Sequence, residues 1–187
     1  MTKMAGKLFG VGLLLFILGT GLFAGQWEVR AQTQEGYTYA QGDLNVWTTD
    51  TVLWQKSGDA PELVAMRFGK HRGYDRVVFE MDGEFAGYHV TYEEPFLRDG
   101  EGPDPKVRGK VFAKIALYPI YSTEEKVEAY DRIAARQDRR GMPVIRGIKQ
   151  LEWFEGELSY VIGLRRRTPF RVQVFSNPTR LVVDFKS

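Results

Sequence analysis

Apolar and polar residues alternate with a period of two along much of the chain beyond residue 60. From Arg76 to Met81, the residues Val77, Phe79 and Met81 fall on one side and Arg76, Val78 and Glu80 on the other. Successive side chains of an extended backbone leave on opposite faces, so this run predicts a half-buried strand. Asp82-Gly83 ends it, and Tyr88-His-Val-Thr-Tyr92 resumes an extended pattern of aromatic and β-branched residues. Joined by a Gly-Glu-Phe-Ala-Gly bend, the two runs read as neighbouring antiparallel strands.

The same pattern recurs before and after this pair. Glu62 to Phe68 and Phe112 to Tyr118 alternate, and so does Val144 to Trp153, which passes through Glu155-Gly156 into Leu158 to Leu164. In the last of these runs Tyr160, Ile162 and Leu164 share a face. Phe170 to Phe175 turns at Asn177-Pro178 into Arg180 to Phe185, so that Phe170, Val172 and Val174 answer Leu181, Val183 and Phe185. One segment departs from this period. Ser122-Thr-Glu-Glu125 reads as a capping box, in which the Ser122 oxygen accepts from a free backbone N–H. Val127, Tyr130, Ile133 and Ala134 follow at helical spacing, predicting an amphipathic helix over 122–137 that stops at Gly141 and Pro143. Short strands with a turn every 8–12 residues predict a mainly β fold, an antiparallel sandwich or open barrel of about eight strands with one helix packed on it.

The first third of the chain reads differently. Lys3 and Lys7 precede an apolar run from Leu8 to Ala24, and Val29-Arg30-Ala31 places small residues where a signal peptidase cuts. Residues 1–31 are therefore expected to be a secretory signal, with an N-terminal anchor as the alternative. The apolar run is 17 residues long and interrupted by glycine, short of the ~20 that a spanning helix needs. Residues 32–60 are a polar lead-in with Tyr37, Tyr39, Trp47 and Trp54 spaced through it, expected to be only partly ordered. Residues 61–187 form the expected β domain.

Composition changes the picture in two places. The 187 residues hold 26 Lys and Arg against 24 Asp and Glu, and without residues 1–31 these fall to 23 and 23. The basic pI thus belongs mostly to the leader, and the strongly basic footprint of a nucleic-acid binder is absent. There is no cysteine, which removes disulfides, thiolate chemistry and a lipid-modified cysteine. An exported chain of this kind holds together through its core alone.

Taken as a set, Gly73-Tyr-Asp-Arg-Val-Val-Phe-Glu80, then Gly87-Tyr88 and Tyr92, then Leu164 with Pro169-Phe-Arg-Val172, and finally Pro178-Thr-Arg-Leu-Val-Val-Asp-Phe185 resemble the AMIN-like domain of bacterial envelope proteins. The likeness covers about residues 61–186. That family is a relative of the AMIN domain, which is attached to cell-wall amidases and pilus secretins. The resemblance implies an exported β module of the periplasm or cell envelope with a binding or targeting role, and no catalytic centre or cofactor. The chain departs from many relatives in lacking a lipid-anchoring cysteine, and its 122–137 segment is longer than the resemblance leads one to expect.

Candidate chemistry is sparse. His71, Asp75 and Ser176 lack the nucleophile-elbow pattern of a hydrolase, and a histidine in a polar turn before a strand is the plainer reading. Glu152, Glu155 and Glu157 straddle a turn and read as solvated. The acidic segment 93–104 matches no calcium-loop spacing, so no metal is expected there. Arg165-Arg166-Arg167 is the most conspicuous charge run: guanidinium forks can grip carboxylates, while a solvated loop or pairing with the protein's own acids is the plainer reading. Tyr88, Tyr92 and Trp153 are candidates for stacking on sugar rings. The expected function is a non-enzymatic envelope module that binds peptidoglycan, an anionic wall polymer or another envelope protein. It has no nucleic-acid partner, and a membrane partner only if the leader is retained. The alternatives are a structural partner in an exported assembly, reached through residues 37–54, and a hydrolase using the acidic loop and His71.

Overall fold

A computed structural model of the chain describes residues 32–34, 37–39, 44–84, 87–93, 107–136 and 141–187. The leader expected at 1–31 and the acidic segment beyond Glu93 lie outside the described residues.

All eight strands read from the alternation are present: β5 (Glu62–His71), β6 (Tyr74–Asp82), β7 (Gly87–Glu93), β8 (Val111–Leu117), β9 (Ile145–Phe154), β10 (Glu157–Leu164), β11 (Phe170–Phe175) and β12 (Thr179–Lys186). Four more come from the lead-in: β1 (Gln32–Gln34), β2 (Tyr37–Tyr39), β3 (Leu44–Thr48) and β4 (Thr51–Gln55). They form two sheets, one ordered β1-β2-β4-β7-β8-β10-β9 and the other β3-β11-β12-β6-β5. Neighbours are antiparallel except β2 and β4. The inner faces meet in a mixed aliphatic and aromatic core, with Phe79 of β6 against Tyr160 of β10 (5.4 Å between rings) and Phe170 of β11 against Tyr92 of β7 (5.8 Å).

Three local expectations change. The run at Arg76 to Met81 and the run at Tyr88 to Tyr92 are not partners. β6 pairs with β5 and β12, whereas β7 belongs to the other sheet. Both strands have an apolar inner face, so the pattern fits facing sheets as well as it fits a hairpin. In β5 the strict alternation breaks at a bulge between Leu63 and Ala65, which puts Leu63 and Met66 on the buried side. The helix, α1 (Glu124–Arg136), is capped by Thr123 rather than Ser122, the Thr123 Oγ1 accepting from Lys126 N at 3.4 Å.

The lead-in contributes to both sheets. β3 pairs with β11, and after the Thr49-Asp50 bend β4 pairs with β7 in the opposite sheet. This crossing covers one open flank of the sandwich. The other flank is closed by α1, which packs against the edge strands β9 and β5 and is tied to the latter by Lys126 Nζ on Glu62 Oε2 at 2.6 Å.

Registers place the strand ends together. The β5–β6 turn, the starts of β8, β9 and β11, and the ends of β10 and β12 all lie at one end of the sandwich. Asp75, with no exposed surface, fastens that end between the sheets. Its Oδ2 accepts from the N–H groups of Val144 (2.7 Å) and Ile145 (2.8 Å). The carboxylate thus satisfies two backbone donors that would otherwise be buried without partners.

Candidate functional site

Two arginine-bearing regions meet at this end. The first is the loop between β10 and β11. Its backbone is pinned at both sides: Arg165 N donates to Val144 O at 2.9 Å, and Thr168 Oγ1 donates to Lys186 O at 2.6 Å. The Tyr92 hydroxyl donates to Thr168 O (2.5 Å) and accepts from Thr168 N (3.2 Å). Burial pushes the Tyr92 hydroxyl pKa up, against the opposing pulls of the Thr168 bond and of Arg167. The guanidinium of Arg167 lies 4.5 Å above the Tyr92 ring and donates to Thr49 O at 3.2 Å. Arg165 and Arg166 are exposed and have no ion pair among the described residues.

The second region is the outer face of the five-stranded sheet. Arg171, Asp184 and Arg76 are opposite one another on β11, β12 and β6. The buried Asp184 carboxylate accepts from Arg76 Nε (2.6 Å) and from a terminal Arg76 nitrogen (2.9 Å), and from Arg171 Nε (2.8 Å). Hydrogen bonding to Asp184 raises the Arg76 pKa despite partial burial. Aromatic rings lie over these cations: Arg171 is 4.7 Å from the Trp47 ring and 5.2 Å from that of Tyr74, which in turn stacks on His71 at 4.7 Å. Trp47 reaches this cluster because the lead-in crosses the sheet. In the sequence Trp47 is one of several spaced aromatics, and its sole signal is the Thr-Thr-Asp-Thr bend that follows.

The other sequence candidates disperse. Tyr88 has no exposed surface and packs in the core. It lies on the same side of β7 as Val90 and Tyr92, so a two-residue period points it inward and leaves no face for a sugar. Trp153 is half-buried against the core, with its indole N–H unpartnered among the described residues. His71 and Ser176 are at opposite ends of the sandwich, and Asp75 is turned inward onto the backbone, so the three do not converge. Glu157 pairs with Lys114 at 3.1 Å, while Glu155 sits exposed at the hairpin tip with φ 48°. No cluster of three potential metal ligands occurs among the described residues.

The far end holds an open cleft of about 1030 Å³, lined by residues that include Gln55, Lys56, Tyr118, Pro119, Phe154 and Glu155. Burial, with Glu157 nearby, drives the Tyr118 pKa up to about 12. The folded state therefore favours the neutral phenol. This contribution is intact below the ordinary value of 10.0, and it is lost as pH rises from there towards 12. His89 shows the opposite linkage. Burial and then Lys114 lower its pKa, so its contribution is intact above 6.5 and declines as pH falls below that. Denaturant midpoints measured between pH 5 and pH 8 should fall on the acid side, and His89→Gln should reduce that slope. An unchanged slope would remove His89 as its source.

A family model described as AMIN-like domain matches residues 61–187. A comparison with curated proteins found no match.

Proposed function

The chain belongs to the AMIN-like domain family, and on that footing we propose that it is an exported, non-catalytic envelope module that binds cell-wall material through the loop at Arg165–Arg167. Residues 1–31 serve as its leader, residues 61–187 are the family unit, and the strands at 44–55 add to both of its sheets. The observation that carries this reading is the state of Arg165 and Arg166. Both are exposed and free of described anionic partners, on a backbone fixed by the Arg165–Val144 and Thr168–Lys186 bonds. A rigid support lowers the entropy lost when such side chains engage a ligand.

Co-sedimentation of the full chain with purified peptidoglycan sacculi tests this. The protein is expected in the pellet, and Arg165→Ala/Arg166→Ala should shift it towards the supernatant. Retention in the supernatant at all sacculus concentrations, or release of soluble fragments from the sacculi, would count against a non-catalytic wall binder.

A further inference from the structure

The charges of this protein are sorted between its two ends. The β10–β11 loop brings three arginines to one end, and the β5–β6 hairpin brings exposed Lys70 and Arg72 to the same place. Exposed Arg108 and Lys110 precede β8 there, Arg146 is the second residue of β9, and Lys186 closes β12. None of these nine side chains has an ion pair among the described residues. Exposed Asp50 lies at the same end; the acidic segment beyond Glu93, outside the described residues, holds Glu94, Asp99, Glu101 and Asp104 with Arg98 and Lys106. The opposite end carries Asp59, Glu62, Asp82, Glu84 and Glu155 together with Lys56, Lys126 and Arg180, and there Lys56 pairs with Glu84 and Lys126 with Glu62.

We propose that the ligand of this end is an anionic polymer, bearing phosphodiesters or carboxylates at intervals, rather than the neutral glycan or a single small anion. This rests on the wall-binding reading and names its substrate class. The cations run from β11 to β5, about 15 Å at ordinary strand spacing, and from one sheet to the other, about 10 Å. Such an area exceeds one carboxylate or one sugar. Neighbouring charges lie within about one Debye length at physiological salt, so their fields sum over the end. The exposed side chains form no closed cage for a small ion, whereas a flexible polyanion engages several of them in turn.

The test uses the full chain with four probes: native sacculi, sacculi stripped of covalently attached anionic polymer, soluble inorganic polyphosphate, and vesicles containing anionic lipid. Expected are retention on native sacculi, loss on stripping, and competition by polyphosphate. Raising salt from 50 to 200 mM should weaken binding roughly tenfold or more, as counterion release by several contacts requires. Arg165→Glu/Arg166→Glu and, separately, Arg72→Glu/Arg146→Glu should each weaken polyphosphate binding at least tenfold. Lys56→Glu/Arg180→Glu, which changes the net charge equally at the other end, should leave it within twofold. Circular dichroism checks that each variant is folded. Equal binding to native and stripped sacculi, insensitive to salt and to both charge reversals, would overturn the polymer and leave the wall-binding reading standing. Failure to bind native sacculi at all would overturn both. Binding to anionic vesicles but not to polyphosphate would replace the polymer with a membrane.

Discussion

Asp184→Ala is expected to cost about 3–5 kcal/mol of folding stability, the range for removing one partner of a buried ion pair. Asp184 has no exposed surface, and its two oxygens hold Arg76 and Arg171 from either side. The alanine leaves two guanidinia facing each other across β12 beneath Trp47 and Tyr74, with Gln173 Oε1 at 3.4 Å as the weak remaining acceptor for Arg76. Asp184→Asn keeps the shape and one acceptor and should lose less. Replacing all three residues together, Arg76→Met, Arg171→Leu and Asp184→Leu, should restore much of the loss, because the charges needing compensation are gone. Urea denaturation of the parent and the three variants decides the matter. A loss below about 1 kcal/mol for Asp184→Ala would mean that the arginines find solvent, and the row would be no more than a surface ion pair.

Gly163→Ala is expected to cost about 3 kcal/mol, at the upper end for overpacking. Gly163 and Gly147 are direct cross-strand partners on β10 and β9, and together they leave a notch in the sheet face. The backbone of Val107–Gly109 lies in that notch. A Cβ at Gly163 would collide with Arg108 O and would sit 2.7 Å from Val107 Cγ1. The main obstacle is backbone rather than the end of a flexible side chain, so relief requires lifting the segment off the sheet. Gly147→Ala meets the same segment at 2.8 to 3.0 Å and should cost less. Because both changes displace one segment, the double variant should fall well short of additivity. Full additivity, or no measurable loss in either single variant, would show that residues 107–109 are not held in the notch.

Much of this was legible in advance, for identifiable reasons. Val77, Phe79 and Met81, like Leu181, Val183 and Phe185, alternate without interruption and face a core on one side only, so both strand and orientation follow from the pattern. The Glu155-Gly156 and Asn177-Pro178 turns joined strands that are indeed hairpin partners. The binding candidates were less legible. Tyr88 and Tyr92 are alike in sequence, yet Tyr88 is sealed in the core while Tyr92 forms the support under Arg167. That difference depends on the β10–β11 loop, whose Thr168 lies 76 positions beyond Tyr92 in the chain and yet bonds its hydroxyl. Nothing near Tyr92 in the sequence announces that partner.

What the sequence alone determined is local: which runs extend, which one coils, which side of each is apolar, and that a chain without cysteine relies on its core. A period of two or of 3.6 is written in a few consecutive residues and needs no knowledge of the partner strand. Which sheet each strand joins was settled only by the tertiary structure, since β6 and β7 have equally apolar inner faces. The same is true of the notch between Gly147 and Gly163, of the Arg171–Asp184–Arg76 row, and of the gathering of nine cations at one end of a chain whose total charge is near neutral. Those features arise where segments distant along the chain are brought within a few ångströms, and pairing energies between such segments depend on the whole arrangement rather than on any one stretch of it.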